Sequence, residues 1–527
     1  MAYRSLQSGP IRLRATTRWL LLWSVAGVGG LAGCASDQLF PELDPDKFVS
    51  ADSSDGWTPA PGVGYEAPVV RPLERPEPGT PDSEGPRSLM QLVDLALELN
   101  PETRAVWEAA RVRAAQYGSV RSVWYPTFSL GASGGYNRLI YPGGTTPIPG
   151  TNGVRADIMY AETLSVFPFA EVNYILLDFG RRSSLDSEAR QALWIANLEF
   201  NRQIQTTVYR VQTAYYDLDA ANGLYRAALE QLELALTVLD AVEDRMAVGL
   251  ATAPELLLAR QGLAQAEFDV QSRISGIDDA RSALLVSIGL PATTPLEIES
   301  LNDLPLPGDL AFEVEEGINA ALRNRPDLAA AVSNVRAADA AVDFAKADFY
   351  PTVTFNGSVG WDQFDMDVQL NDGPTGSQGG SGAEYNVGLT GNWILFEGFE
   401  LRNNLRRARA ARRQAQAELE SLRIKAIGEV WDSYSDYLAA QRQYSFGLAL
   451  VESSREAYDA MISAYDVGLA TITELIDSER DLASALATLV TTRANLLTSS
   501  ASVAYFMGSG PGQAPPSDLA AAAVQDR

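Results

Sequence analysis

The 527-residue sequence contains no histidine and one cysteine, Cys34. The first absence removes Ser-His-Asp catalysis and histidine-ligated metals together. The second removes intramolecular disulfides and cysteine-cluster metal sites. Basic charge is also scarce: 41 Lys and Arg stand against 67 Asp and Glu, a net charge of −26. Nucleic-acid backbones demand clustered cations, so no nucleic-acid partner is expected. The leading apolar run is short too. The apolar stretch Trp19 to Gly33 has 15 residues, short of the roughly 20 such a helix needs. No nucleophile–base pairing or metal-ligand set can be identified, so the reading carries no enzyme activity and no cofactor.

What the chain does contain is repetition. Val248-Gly249-Leu250-Ala251-Thr252 recurs unchanged as Val467-Gly468-Leu469-Ala470-Thr471. Long Ala-rich helical patterns flank each copy. Each copy also opens a helix with a capping-box signal, Thr252 with Glu255 and Thr471 with Glu474. Both therefore read as tight turns at the ends of helical hairpins. Other segments match in the same order: Ala96–Pro101 with Ala321–Pro326, Tyr125-Pro126-Thr127 with Tyr350-Pro351-Thr352, and Leu176-Leu177-Asp178 with Leu395-Phe396-Glu397. Repeats this long predict a pseudo-symmetric, duplicated chain.

In chain order, residues 1–33 read as a secretory signal: Arg4, Arg12, Arg14 and Arg18 precede the short apolar run. The run ends in Leu31-Ala32-Gly33-Cys34, which resembles a bacterial lipobox. That resemblance implies cleavage before Cys34 and acylation of it, with the acyl chains anchoring the protein in lipid. Residues 34–87 hold ten prolines from Pro41 to Pro86 and read as an extended N-terminal arm. Repeat 1 spans 88–291 with a β-hairpin at 127–177. A linker covers 292–311. Repeat 2 spans 312–508 with a hairpin at 352–397, and 509–527 form a tail.

The hairpins alternate in character. Val353, Phe355, Val359 and Trp361 interleave with Thr354, Asn356, Ser358 and Gly360. One face is apolar and aromatic; the other reads as small and polar. In a membrane barrel the apolar face meets lipid and the polar face lines water. Four strands cannot close a barrel, so several chains are required. Pro168 falls inside a strand pattern and predicts a bulge or the barrel rim. The patterns from Arg181 to Ala247 and from Leu401 to Asp466 predict two very long helices, near heptad spacing. The return helices are half as long, and each is expected to stack end to end with the first helix of the other half.

The duplicated order of helix, Tyr-Pro-Thr, hairpin, long helix, Val-Gly-Leu turn and helix resembles the TolC-like outer-membrane efflux proteins. The resemblance covers roughly residues 88–508. It implies an α+β membrane protein: a trimeric 12-stranded β-barrel, four strands per chain, continued by a long α-helical coiled-coil tunnel built from two tandem repeats. The implied partners are two further copies of the chain (a homotrimer), a periplasmic adaptor (membrane fusion protein), an inner-membrane pump and outer-membrane lipid. The implied place is the bacterial outer membrane, with the tunnel in the periplasm. The implied function is a passive exit duct of a tripartite efflux or export system, for small molecules. Two alternatives stay open: a type I protein-secretion exit duct, and a periplasmic structural lipoprotein that is no channel.

The resemblance also assigns roles to residues. Val248, Gly249, Leu250, Thr252, Val467, Gly468, Leu469 and Thr471 become adaptor-contact tips. Glu474 and Asp477, three apart on one helix face, become acidic residues of a periplasmic constriction, where crowded carboxylates draw in cations. Tyr465 and Glu255 match two positions of the family's gate latch. The latch arginine position holds Ala470, so closure must rest on other contacts.

Overall fold

In a computed structural model the chain is described over residues 85–142, 158–301, 306–310, 312–370 and 375–508. The signal sequence, Cys34, most of the Pro-rich arm and the C-terminal tail lie outside the described residues.

Two proline-centred breaks organise the short helices. Helix α1 (Leu89–Leu99) opens at Ser88, whose amide donates to Gln91 Oε1 at 3.1 Å. It stops at Asn100, since the residue before proline disfavours helical geometry. Asn100 then caps α2 (Pro101–Val120), accepting from the Glu102 amide at 2.8 Å. A 3₁₀ turn (Arg121–Trp124) leads to strands β1 (Thr127–Pro142) and β2 (Ile158–Leu177). Then come the 67-residue α3 (Arg181–Ala247) and the 36-residue α4 (Ala253–Ile288). The second half repeats the order: α5 (Val314–Asn324), α6 (Pro326–Ala347), β3 (Thr352–Leu370), β4 (Thr375–Asn392), then α7 (Glu400–Asp466) and α8 (Ile472–Phe506). At 1.5 Å per residue each long helix extends roughly 100 Å. Among the described residues no helix is long and apolar enough to cross a membrane.

The return helices stack within their own halves, contrary to the expectation from sequence. The end of α4 abuts the start of α2: Asn100 Nδ2 donates to Ser287 O at 2.8 Å, and a Cβ at Gly289 would lie 2.8 Å from Pro101 Cδ. The end of α8 likewise meets the start of α6, where a Cβ at Gly508 would lie 2.9 Å from the Arg325 amide nitrogen. Gly289 and Gly508 have φ of +94° and +76°. Glycine adopts that conformation freely and lets a second backbone come close. Each junction sets a helix C-terminus against a helix N-terminus, a favourable alignment of dipoles.

Among the described residues the four strands form one antiparallel sheet in the order β1-β2-β3-β4, with β1 and β4 as its open edges. On one face Phe128, Leu130, Val359, Tyr385, Val387 and Leu389 are all exposed. The strands run further into the loops than the Gly- and Pro-rich composition suggests, to Pro142 and from Ile158, whereas β4 ends at Asn392 rather than at 397. Pro168 marks neither a bulge nor a rim. It lies within β2, opposite Ala132. The β2–β3 ladder skips from Val166↔Gln363 to Phe169↔Gly360 with its register unchanged. The missing amide leaves a gap in the ladder without shifting it; the irregularity falls instead between Ile175 and Leu177.

Helix α3 is the hub, packing against α2, α4, α6 and α8. The linker is tied to it: Tyr215 Oη donates to Glu299 O at 2.6 Å, and Arg87 pairs with the linker through its amide to Glu297 O at 2.9 Å. Near the far ends of the long helices a separate apolar cluster joins the halves, with Val238, Val242, Tyr458, Tyr465, Leu475 and Leu482 all buried.

Candidate functional site

Both pentapeptides form the same turn. Gly249 and Gly468 each have φ of +79°. The Leu250 amide donates to Arg245 O at 2.8 Å, and the Leu469 amide to Ala464 O at 2.8 Å. With the backbone polar groups satisfied inside the turn, the side chains point out. Val248, Leu250, Val467 and Leu469 are 70%, 66%, 71% and 85% exposed. Thr252 and Thr471 start the returning helices. The Thr252 amide donates to Glu255 Oε2 at 2.5 Å, and the Thr471 amide to Glu474 Oε2 at 2.7 Å.

The tips differ in what they touch. Arg245, in the last turn of α3, reaches across to the second tip. Its Nη1 donates to the carbonyls of Tyr465 and, at 3.2 Å, Asp466; its Nη2 donates to Leu250 O at 3.5 Å. Its guanidinium carbon lies 4.6 Å from the centre of the Tyr465 ring. A cation on the last carbonyls of α7 satisfies acceptors that the helix leaves open and complements its dipole. The ring adds a cation–π contact.

Tyr465 is buried, and among the described residues its hydroxyl has no hydrogen-bond partner. Burial raises the pKa of that hydroxyl, the Glu255 carboxylate raises it further, and Arg245 opposes both. Glu255 thus acts on Tyr465 through its charge while its carboxylate caps its own helix. Sequence reasoning placed Tyr465 and Glu255 at a latch but missed Arg245. It is the one basic residue in the last turn of α3, which was the available signal.

Glu474 and Asp477 are exposed on α8. The Glu474 carboxylate accepts from both the amide and the hydroxyl of Thr471, the latter at 2.8 Å. Those bonds hold its pKa below the ordinary glutamate value. Asp477 pairs loosely with Arg480 at 3.8 Å. Two residues beyond Asp477, on another face of the helix, Glu479 is 3% exposed. Burial pushes its carboxyl up to about 7, against the lowering effect of Arg480. The nearby Tyr458 hydroxyl is pushed up to about 12, first by burial and then by Glu479. Glu479 was also missed, although Leu475-Glu479-Leu482 places it within an apolar helical stripe.

A four-stranded sheet with one exposed apolar face, two open edges and twin helical hairpins is what a protomer of a membrane tunnel requires. The sequence model for "Outer membrane efflux protein" matches residues 92–290 and 317–509. The chain belongs to the outer membrane efflux protein family. It is 27% identical over 440 residues to Protein CyaE of Bordetella pertussis, covering 81% of this chain and 85% of that one. It is 25% identical over 432 residues to the probable efflux pump outer membrane protein TtgC of Pseudomonas putida, covering 80% and 83%. In solved structures, the outer-membrane channel OprN matches with a TM-score of 0.65 at 22% identity, covering 80% of this chain and 90% of that one. The Campylobacter jejuni CmeC outer membrane channel matches at 0.64 and 17%, covering 82% and 88%. This efflux-family chain is an outer-membrane channel component with the α+β fold of those channels.

Proposed function

We propose that three copies of the chain form a passive exit duct for small molecules, fed by an inner-membrane pump through a periplasmic adaptor. The observation that carries this reading is the sheet with unpaired edges β1 and β4. An open edge on an apolar sheet demands pairing, and pairing β4 of one protomer with β1 of the next closes a barrel without an edge. Relatives named for antibiotic, toluene and solvent efflux favour small cargo over protein. Cys34 carries the lipid anchor in this reading. The exposed side chains of Val248, Leu250, Val467 and Leu469, on turns shaped by Gly249 and Gly468 and closed by Thr252 and Thr471, meet the adaptor.

At the same end Glu474 and Asp477 line the constriction, and Arg245 supplies the cation that Ala470 does not. Arg245 and Tyr465 hold the two tips of a protomer together; Glu255 adds charge beside them. The test is single-channel recording of the purified protein in planar bilayers. A cation-preferring conductance whose preference falls in Glu474→Ala/Asp477→Ala supports both duct and constriction. Selectivity unchanged by the pair removes the constriction from these residues, and a protein that forms neither trimers nor conductance overturns the duct.

A further inference from the structure

The sheet register sorts strand residues onto two faces. Phe128, Tyr174, Phe355 and Leu389 belong to the lipid-facing set. Ser129, Asn173, Asn356 and Gly388 belong to the opposite, lumenal set. The lumenal face is not uniformly small, as its second-hairpin pattern suggested. Phe167, Phe169 and Phe364 fall on it.

These rings lie across the wall, over glycines. Phe169 is opposite Gly131, and a Cβ there would lie 2.6 Å from its Cζ. Phe364 is opposite Gly380, where a Cβ would lie 3.0 Å from its ring. The ring of Phe167 covers Gly360, beside the ladder gap that Pro168 makes. Phe167 and Phe169 stack at 5.6 Å with their planes 20° apart. Any side chain at these glycines would lift the rings off the wall, so the glycines are hollows that hold them flat.

The charges on this face have one sign. Glu171, Asp362 and Glu384 share it with the rings. Glu171 is oriented from below: its Oε1 accepts from Asn173 Nδ2 at 2.9 Å, and Asn173 Oδ1 accepts from Asn356 Nδ2 at 2.6 Å. Among the described strand residues the sole cation, Arg138, lies on the other face, 3.3 Å from Glu162.

From this we infer that the phenyl rings of Phe167, Phe169 and Phe364, with the carboxylates around them, form a collar in the barrel lumen that binds amphipathic organic cations. Such a molecule offers a flat apolar body to the rings and a positive charge to both the π faces and the carboxylates. An anion of equal size meets repulsion, and a small hydrated cation gains nothing from the phenyls. Threefold repetition turns one patch into a ring around the exit path. The inference rests on the proposal that the chain is a trimeric small-molecule duct.

The test is fluorescence anisotropy of rhodamine 6G with the full-length trimer in detergent, referenced to empty micelles. We expect saturable binding, displaced by tetraphenylphosphonium and not by tetraphenylborate. Phe167→Ala/Phe169→Ala should weaken it about tenfold, as the loss of two ring contacts implies. Phe167→Leu/Phe169→Leu refills the hollows without π faces and should show an intermediate loss; it decides the matter if the alanine pair does not assemble. Wild-type affinity in the ring variants overturns the collar, as does equal displacement by anion and cation, or a wild-type trimer that binds no dye. A wild-type protein that forms neither trimers nor conductance overturns the duct reading instead.

Discussion

Two copies of one pentapeptide, with the same glycine at the same φ, end in different neighbourhoods. The first tip gives: Arg245 leaves it to bind the carbonyls and ring of Tyr465. The second tip receives, and the position matching Arg245 is Ala464. The helices that follow also diverge. In α4, Leu256 is half-buried and Leu257 is 65% exposed, whereas their counterparts Leu475 and Ile476 of α8 are buried. The matching cause is packing. α8 is held by both α3 and α7, while α4 packs chiefly on α3. The position that is the buried Glu479 in α8 is Arg260 in α4, paired with Glu243 at 3.3 Å and exposed. The two halves thus share the turn and differ in what surrounds it: the first tip sends Arg245 across, and the second receives it.

The comparison sharpens first at the outward leucines. Leu250→Asp and Leu469→Asp should each leave channel conductance intact yet abolish dye efflux from cells, since the tips are alike where they face outward. Efflux retained in both variants would remove the leucines from the adaptor contact. Next, valine at Gly468 or Gly249 forces a β-branched residue into the left-handed region, at a cost of about 1–2 kcal/mol. Gly468→Val should loosen both tips, because a Cβ there would already touch the Arg245 guanidinium at 3.6 Å and the valine methyls extend beyond it. Gly249 faces open space, so its variant should loosen only its own turn. Amide hydrogen exchange of the two tips separates these outcomes.

How much of this could be read from the chain is clear at particular residues. Gly249, Gly468 and the Thr–Glu pairs announce their turns, because left-handed geometry and helix capping act over a few residues. Asn100-Pro101 announces its helix break for the same reason. Arg245 does not announce its partner, which lies 220 residues away. Nor does sequence tell which helix a return helix stacks on; the close approach of Gly289 to Pro101 decides that in three dimensions. Pro168 misleads because strand rules weigh one proline against a whole ladder, and here the ladder holds its register on both sides.

Glu479 provides a smaller effect with a defined sign. Its carboxyl titrates near 7 in the folded tip and near 4.3 when unfolded. The contribution it makes in the neutral form is full below the unfolded value and is lost as pH rises through about 7. Amides around Leu475–Leu482 should therefore exchange faster relative to the rest of the chain at pH 8 than at pH 5. Glu479→Gln should remove that difference, and Arg260→Gln should not alter its own tip in the same way. The smallest effect is at the caps: Thr471→Ala and Thr252→Ala should each cost about 1 kcal/mol of local stability, measured by the same exchange.

The most direct measurement is the single-channel conductance of Arg245→Ala beside wild type, with Arg245→Lys as a partial replacement. If the first tip holds the second through Arg245, the alanine variant opens more often and conducts several-fold more current, while lysine falls between. Identical opening frequency and conductance in all three proteins would contradict the account, because the tips would then be held by something other than Arg245.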